Sequence, residues 1–270
     1  KNVHSIIYGL FAAIAVILII SILKNNYEID RLFLMIIIPI GLIYTLLIPP
    51  GIVPDEWVHM HSALSLSSQI MQKETNDKVT MRVEEHELYS RQVSIPDNGY
   101  YDYVYNNVFS ISENNEYVNI EVESVSLGQI FAYFPAAIGI TIARLFNLGG
   151  VTTIYMGRLF NFVYYTIVTY FALKKIPFGK LLLFAITMLP MTCHQMFSLS
   201  YDAVLNATSF FCIAYGMFFV YQSDKVEKKD IVLYALAGLL LLTIKGSAYA
   251  FILVIPILAK YFNPNGYEIA

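Results

Sequence analysis

Charge is scarce along this chain of 270 residues. Charged residues make up 14% of it, hydrophobic residues make up 57%, and the formal net charge is −3. A typical soluble domain carries about a quarter of its residues charged, and a nucleic-acid-binding protein needs a basic stripe that this chain lacks. The composition therefore predicts a membrane protein that does not bind nucleic acid.

Cysteine is also rare, and the glycine patterns that bind nucleotides are missing. Cys193 and Cys212, the two cysteines, lie in or beside apolar runs, so no disulfide framework is indicated. The chain has neither a Gly-x-x-x-x-Gly-Lys-Ser/Thr phosphate loop nor a Rossmann glycine pattern. The common nucleotide-binding motifs are therefore excluded.

Long apolar runs are what the chain has instead. Each approaches the roughly 20 residues that cross a bilayer as a helix, and the last run is broken by Lys245-Gly246. We therefore predict an all-α polytopic membrane protein. The runs cover about residues 5–23, 32–49, 127–147, 153–173, 181–199, 203–222 and 231–262.

One large polar region, residues 50–126, carries 13 acidic and four basic side chains. Short loops rich in lysine and arginine mark the cytoplasmic side of a membrane protein, so the acidic region is predicted to be an extracytoplasmic loop. The predicted organisation has three parts: N-terminal transmembrane spans in 1–49, this loop in 50–126, and a transmembrane helix bundle in 127–270. The bundle is truncated at its C-terminus if the chain is a fragment. The predicted cytoplasmic loops are 24–31, 174–180 and 223–230.

The run 127–147 creates a conflict in this topology. If 127–147 and 153–173 both cross the membrane, Lys174 falls on the same side as the acidic loop. Pro135 and the glycines between Gly139 and Gly150 suggest instead that the first run lies in the interface or re-enters the membrane. The sequence leaves both alternatives open.

Adjacent carboxylates, Asp55 and Glu56, follow the second apolar run. A helix beginning near Pro54 would place Asp55, Glu56 and His59 on neighbouring faces. The carboxylates could simply cap that helix, because anions are favoured at a helix N-terminus. Alternatively, a carboxylate beside a low-dielectric boundary has a tunable pKa, and Asp55 would be a general base that takes a proton from an acceptor hydroxyl.

A second polar set lies between two later apolar runs. Ser200 is a plausible N-cap with Asp202 in the first turn of the following helix, which alone could explain both residues. Polar groups at membrane depth usually face a cavity, which makes a substrate site the alternative interpretation. The members of the set are His194, Gln195, Ser198, Ser200, Asp202 and Asn206.

Two isolated cations interrupt apolar segments. Lys245 either snorkels to the lipid headgroups or holds a phosphate with the exposed amides beside Gly246. Arg158 is either an anchor on the cytoplasmic side or part of a helix contact, and the sequence does not decide between these roles.

Tyrosines and histidines in the polar region allow further interpretations. Four tyrosines between Tyr100 and Tyr105 suit a carbohydrate, but a small β-hairpin on the headgroups explains most of them and is the favoured prediction. His59 and His61 are two apart and point in different directions on a helix. No metal site is predicted from them, although a divalent cation stays open as a cofactor.

Several motifs together resemble the bacterial membrane proteins grouped as domain of unknown function 2142, over about residues 40–262. That family in turn resembles the GT-C superfamily of glycosyltransferases, which implies a GT-C-like module of transmembrane helices with a large first extracytoplasmic loop. The motifs are Pro-Pro-x-x-x-Pro-Asp-Glu-x-x-His at 49–59, Gly-Arg-Leu-Phe-Asn at 157–161, Leu-Pro-Met at 189–191, Ser-Leu-Ser-Tyr-Asp-Ala at 198–203 and the lone Lys245.

This resemblance implies a catalytic position. In GT-C enzymes an Asp or Asp-Glu in the first large outward loop is the acid/base, which matches Asp55-Glu56, and a second aspartate near the same site resembles Asp202. Such enzymes take a sugar from a polyprenyl-phosphate carrier and invert its anomeric centre. The chain departs from the superfamily in carrying Tyr133-Phe134-Pro135 where many members have a His-Pro-Pro-Leu type of segment.

The residues and the resemblance lead to one hypothesis: an outward-facing glycosyltransferase of the bacterial cell membrane with Asp55 and Glu56 as catalytic residues. Its expected partners are a polyprenyl-phosphate-linked sugar, a glycan or polymer acceptor and the lipid bilayer. The alternative is a transporter or scaffold subunit of a cell-envelope polysaccharide system. The candidate substrate-binding residues are His59, Arg158, His194, Tyr201, Asp202, Asn206 and Lys245.

Overall fold

A computed structural model describes residues 2–73, 79–91, 97–112, 116–120 and 130–254. These residues form mainly helices, together with one antiparallel pair of short strands, β1 and β2. The helices are α1 (Asn2–Lys24), α2 (Ile29–Leu47), α3 (Glu56–Ile70), α4 (Val83–Ser90), α5 (Asn98–Asn107), α6 (Ile130–Leu145), α7 (Gly150–Lys175), α8 (Lys180–Thr187), α9 (Pro190–Gln195), α10 (Asp202–Tyr221) and α11 (Lys228–Lys245), and the strands are β1 (Val79–Arg82) and β2 (Tyr117–Ile120).

The predominance of helix agrees with the predicted fold class. Within the described ranges, α10 is the one helix that is both long enough and apolar enough to cross a membrane by itself. The multi-pass arrangement therefore stays a prediction. The far end of the last apolar run, 255–262, lies outside the described residues.

Breaks within two apolar runs follow from local backbone chemistry. The prediction of one span over 181–199 is wrong, because α8 ends at Thr187 and α9 begins at Pro190. Proline lacks an amide donor and disfavours helical geometry in the residue before it, so Leu189 is extended. The predicted break after Lys245 is confirmed, since Gly246 has a φ of 58° that ends α11.

The tyrosines of the polar region do not form a β-hairpin, which corrects that prediction. They lie on α5, whose N-cap Asp97 accepts a hydrogen bond from the amide of Tyr100 at 2.8 Å. Tyr100 and Val104 are buried because residues four apart share one face of a helix. The strand pair instead joins β1, before α4, to β2, after α5.

Helix α7 lies at the centre of the bundle and packs against α2, α6 and α10. Glycines permit close approach to α6 and to the loop before α10: Gly139 of α6 lies against the backbone of Met156, and Gly157 of α7 lies against Leu199. Helix α6 has 16 residues, fewer than a full span needs. That length is compatible with the predicted interfacial or re-entrant placement of 127–147, which stays a prediction.

Replacing Gly139 by alanine is expected to lower the free energy of unfolding by about 1–3 kcal/mol, because the added Cβ would overlap the Met156 carbonyl and force α6 from α7. Thermal unfolding of the detergent-solubilised protein measures this. Gly9→Ala is the matched control, since Gly9 lies on α1 with open space around its Cα. A similar melting-temperature loss in both variants, or in neither, would contradict the proposed contact.

A buried charge cluster joins the polar region to the bundle. Glu85 of α4 accepts hydrogen bonds from Arg82 at 2.8 Å and from Arg144 of α6 at 2.6 Å, and all three side chains are fully buried. Burial raises the pKa of the Glu85 carboxyl, but the charges of Arg144 and Arg82 outweigh it and hold that pKa below its ordinary value. The cluster thereby fixes α4 against α6.

Candidate functional site

The loop before α3 is held by a buried ion pair. Arg158 of α7 donates from Nε to Glu56 Oε1 at 2.7 Å, and its other nitrogens donate to the carbonyls of Ile48 and Pro49. Both ionic side chains are at most 1% exposed. Arg158 therefore joins the end of α2 to the start of α3, and it lies in the core instead of at a ligand-accessible surface.

Glu56 is equally occupied by protein groups. Besides Arg158, it accepts hydrogen bonds from the amide of Gly51 and, at 3.0 Å, from the amide of Leu199. Leu199 belongs to the loop before α10, so one carboxylate holds two loops that are far apart in sequence. Glu56, expected from its motif to be catalytic, is in a position to orient the site but not to contact a substrate.

The next turn of α7 secures the second loop. Asn161 donates from Nδ2 to the carbonyls of Ser198 and Ser200, at 2.8 and 3.3 Å. Arg158 and Asn161 are three residues apart and thus share a face of the helix. The Gly-Arg-Leu-Phe-Asn motif therefore positions both loops, a role that its sequence did not reveal.

Asp55 differs from Glu56 in its exposure, hydrogen bonding and backbone conformation. It is exposed, makes no side-chain cap hydrogen bond, and has a left-handed backbone with φ of 60°. Helix α3 begins beside it, as predicted, but the capping role considered for its carboxylate is not what the structure contains. A non-glycine residue in this conformation is strained, a property that clusters at functional sites.

His59 lies one turn into α3 and is surrounded by aromatic rings. Its Nδ1 is 2.6 Å from the hydroxyl of Tyr133 on α6, and its ring makes an edge contact with Tyr201 at 4.8 Å. Tyr133 and Tyr201 also contact each other. The segment that replaces the expected His-Pro-Pro-Leu type of sequence thus supplies a side chain to the site through Tyr133.

The electrostatic surroundings of His59 locate the other charged groups. Burial lowers the pKa of the imidazole, and the nearby positive charge of Lys245 lowers it further. The carboxylates of Asp202 and Asp55 act in the opposite direction but do not overcome burial, so the pKa lies below its ordinary value. The carboxylates of Asp55, Glu56 and Asp202 and the ammonium of Lys245 thus all influence the pKa of His59.

Asp202 is the first residue of α10. Its amide donates to Ser200 Oγ at 3.1 Å, but the N-cap of α10 is Tyr201 and not Ser200, which corrects that prediction by one residue. Its carboxylate accepts a hydrogen bond from Gln195 Nε2 at 3.0 Å, and Asn206 Nδ2 donates to the side-chain oxygen Oε1 of Gln195 at 3.3 Å. The polar set predicted between the two apolar runs is therefore partly connected through Gln195.

Lys245 ends α11 at the same place. Its Nζ donates to the hydroxyl of Tyr201 and also lies 4.7 Å from the centre of that ring. The lysine side chain is exposed. An ammonium group held in this way is available to an anion and is anchored by contacts with the tyrosine.

An apolar groove of about 620 Å³ lies between α6, α7 and α11. It reaches Thr243, two residues before Lys245, and Phe134, next to Tyr133. A second cavity of about 710 Å³ shares Tyr164, Leu236 and Leu240 with it and extends towards Lys174 and Lys229. Other residues lining the first groove are Phe131, Pro135, Ile138, Phe160, Val163 and Ile167.

The structure brings most but not all of the predicted site residues together. Asp55, His59, Tyr201, Asp202 and Lys245 form one neighbourhood, and Asn206 joins it through Gln195. His194 instead lies against Phe197, beside the Arg158–Glu56 pair. Among the described residues, no group of three or more histidine, cysteine, aspartate or glutamate side chains could hold a metal ion.

Comparison with known proteins identifies a family. The model described as "Predicted membrane protein (DUF2142)" matches residues 38–263, which is most of the chain. The family predicted from the motifs is thereby confirmed, and with it the association with membranes. No curated protein and no solved structure matches the chain.

Proposed function

We propose that this chain, which belongs to the DUF2142 family of membrane proteins, is an inverting glycosyltransferase that uses a polyprenyl-phosphate-linked sugar. The observation that carries the proposal is the convergence of three helix ends. Asp55 precedes His59 by one turn at the start of α3, and the His59 ring contacts Tyr201, the neighbour of Asp202 at the start of α10. Lys245 at the end of α11 donates to the same Tyr201. Two carboxylates and one ammonium thus belong to one neighbourhood beside the end of an apolar groove that reaches Thr243 and Phe134.

The groove suits a lipid-linked donor. Its lining is almost wholly apolar and lies between α6, α7 and α11, where an isoprenoid tail would replace lipid contacts. The phosphate of the same donor would then lie near Lys245, which follows the groove-lining Thr243 by two residues. Tail and headgroup would be held by adjacent parts of α11.

The transfer reaction assigns a role to each charged residue. Asp55 takes the proton from an acceptor hydroxyl while the oxygen of that hydroxyl attacks the anomeric carbon. The new C–O bond forms as the bond to the phosphate oxygen breaks, and the electron pair leaves with polyprenyl phosphate. Attack from the opposite side inverts the anomeric centre, and the Lys245 ammonium stabilises the charge on the leaving phosphate.

The remaining residues bind or orient. Asp202, Tyr201, Asn206 and His59 are placed to accept hydrogen bonds from sugar hydroxyls or donate to them. Glu56 and Arg158 keep the two loops in register, as positioning residues. The acceptor would be a cell-surface glycan or polymer, because the site lies at the end of the bundle opposite the lysines of 174–180 and 223–230, which mark the cytoplasmic side.

The decisive test is the variant Asp55→Asn in cells that carry no other copy of the gene. Asparagine tolerates the left-handed backbone but cannot accept the proton. Transfer should fall by at least about 100-fold, with normal protein levels and accumulation of the unconsumed lipid-linked sugar, as measured by mass spectrometry of surface glycan and lipid extracts.

Asp102→Asn provides the matched control, because Asp102 is an exposed aspartate on α5 and not on one of the three converging helix ends. It should leave the glycan unaltered. Normal surface glycan in the Asp55→Asn cells would overturn the catalytic role. If the protein were a transporter, an inactive variant would instead leave the lipid-linked sugar on the cytoplasmic face. Labelling of the outer leaflet distinguishes this outcome.

A further inference from the structure

The second cavity, of about 710 Å³, lies between α7, α10 and α11 and has three lysines at one end. We call it the lysine groove. Lys174 and Lys175 end α7, and Lys229 lies in the first turn of α11. The rest of the lining is apolar or aromatic, apart from Thr208 and Asp230. Its volume is within the range of about 300–1,000 Å³ that is typical of ligand sites.

The lysines of this groove lie at the level where α10 ends. Lys175 Nζ is 4.2 Å from the centre of the Phe218 ring, in the last turn of α10. In the part of the chain that the structure describes, α10 is the helix that is long and apolar enough to cross a bilayer by itself. Its 20 residues rise about 30 Å, the thickness of the hydrocarbon core. The lysines therefore lie at one edge of that core.

The apolar part of the lysine groove has the depth of one leaflet. Along α11 the lining extends from Lys229 to Leu240, a rise of about 16 Å. Half of a hydrocarbon core of about 30 Å is about 15 Å. An acyl chain whose headgroup lies beside the lysines would thus end near Leu240.

The walls of the lysine groove are open to the bilayer. Phe171 of α7 and Leu233 of α11 are both 45% exposed, and Leu236 is 60% exposed. These side chains face each other across a floor that α10 provides through Phe211 and Tyr215. A lipid chain could therefore enter from the side without unfolding any helix.

The charges at the end of the lysine groove favour an anion. Lys175 is paired with the buried Asp230 at 2.9 Å, and Lys229 pairs with Glu227 where both side chains are more than 60% exposed. Exposed pairs of this kind contribute little, so Lys229 remains available. Lys174 is exposed and forms no ion pair with any residue that the structure describes. An apolar interior with ammonium groups at its mouth suits an amphiphile with an anionic head.

We propose that the lysine groove binds an anionic glycerophospholipid of the cytoplasmic leaflet, with its phosphate at Lys174 and Lys229 and one acyl chain along Leu233 and Leu236. Short loops rich in lysine mark the cytoplasmic side, where basic pockets between membrane helices bind anionic headgroups. The bound lipid would join α7 to α11 over α10. This site is independent of the proposed glycosyl transfer, because Lys245 lies at the opposite end of α11.

Native mass spectrometry of the full chain in detergent tests the headgroup contact. Phosphatidylglycerol and phosphatidylcholine with the same acyl chains are added separately, and the parent should retain the anionic lipid at least about fivefold better. Lys174→Gln should weaken retention of phosphatidylglycerol about fivefold. Lys225→Gln is the matched control, because Lys225 is exposed in the preceding loop and does not line the groove. Equal retention of both lipids by the parent, or equal losses in the two variants, would overturn the proposal.

Two tryptophan variants test the seat of the acyl chain. Leu233→Trp narrows the groove and should reduce retention of phosphatidylglycerol about fivefold or more, whereas Val232→Trp changes an exposed neighbour outside the lining and should retain the parent value. Lys229→Gln replaces Lys174→Gln if the latter is poorly produced. Equal retention by the two tryptophan variants would contradict the assigned seat. A lipid-free dimer in the mass spectrum would overturn the proposal, since a second copy would then cover the groove.

Discussion

Replacing Glu85 by alanine is expected to abolish accumulation of the folded protein. The substitution leaves Arg82 and Arg144 fully buried without the carboxylate that both contact. Removing one partner of a buried ion pair costs about 3–5 kcal/mol, and here two guanidinium groups lose the same partner. Total stability of folded proteins is roughly 5–15 kcal/mol, so little would remain.

The yield of monodisperse protein and its melting temperature in detergent measure this effect. Glu87→Ala is the matched control, because Glu87 lies on the same helix in an exposed pair with Arg91. Such pairs contribute about 0–1 kcal/mol, so the control should fold normally. Glu85→Ala protein with the same melting temperature as the control would show that the buried cluster is not a source of stability.

Replacing Arg158 by methionine is expected to destabilise the chain by about 3–5 kcal/mol, since the Glu56 carboxylate would stay buried without its cation. The carbonyls of Ile48 and Pro49 would lose their donor as well. Thermal unfolding and limited proteolysis of the loop before α3 measure the loss. Methionine retains most of the volume, so the effect reports the charge and its hydrogen bonds.

A double variant separates the ion pair from other consequences. Arg158→Met combined with Glu56→Met removes both charges, and it should recover part of the stability that the single change loses. If the double variant is less stable than the parent by the sum of the two single losses, the two side chains are not coupled. That result would contradict the assignment of Glu56 as the partner of Arg158.

Local patterns in the sequence are sufficient to predict where some helices begin and end. The start of α3 beside Asp55 and the end of α11 before Gly246 follow from residues that act on their own backbone. The tyrosines of α5 were misassigned to a hairpin because aromatic residues favour strands in general. Burial of Tyr100 and Val104 four residues apart, together with the Asp97 cap, decides in favour of a helix.

The candidate site was only partly visible in the sequence. Asp55, Asp202 and Lys245 stood out because charge is rare beside apolar runs. Glu56 stood out for the same reason, yet its partner Arg158 is 102 residues away, and nothing local distinguishes a paired carboxylate from a reactive one. In the sequence Tyr133 marks only a departure from a motif, since its contact with His59 depends on how α6 packs against α3.

The hydrogen bond between the Leu199 amide and Glu56 has a consequence for how this family could diversify. It fixes the spacing of the two loops through atoms that belong to neither Asp55 nor Asp202. Under the proposed function, folding and chemistry would therefore depend on different side chains of adjacent residues. Substitutions at Asp55 or Asp202 would then change the proposed reaction while Glu56 and Arg158 preserve the scaffold, so one architecture would be compatible with more than one substrate.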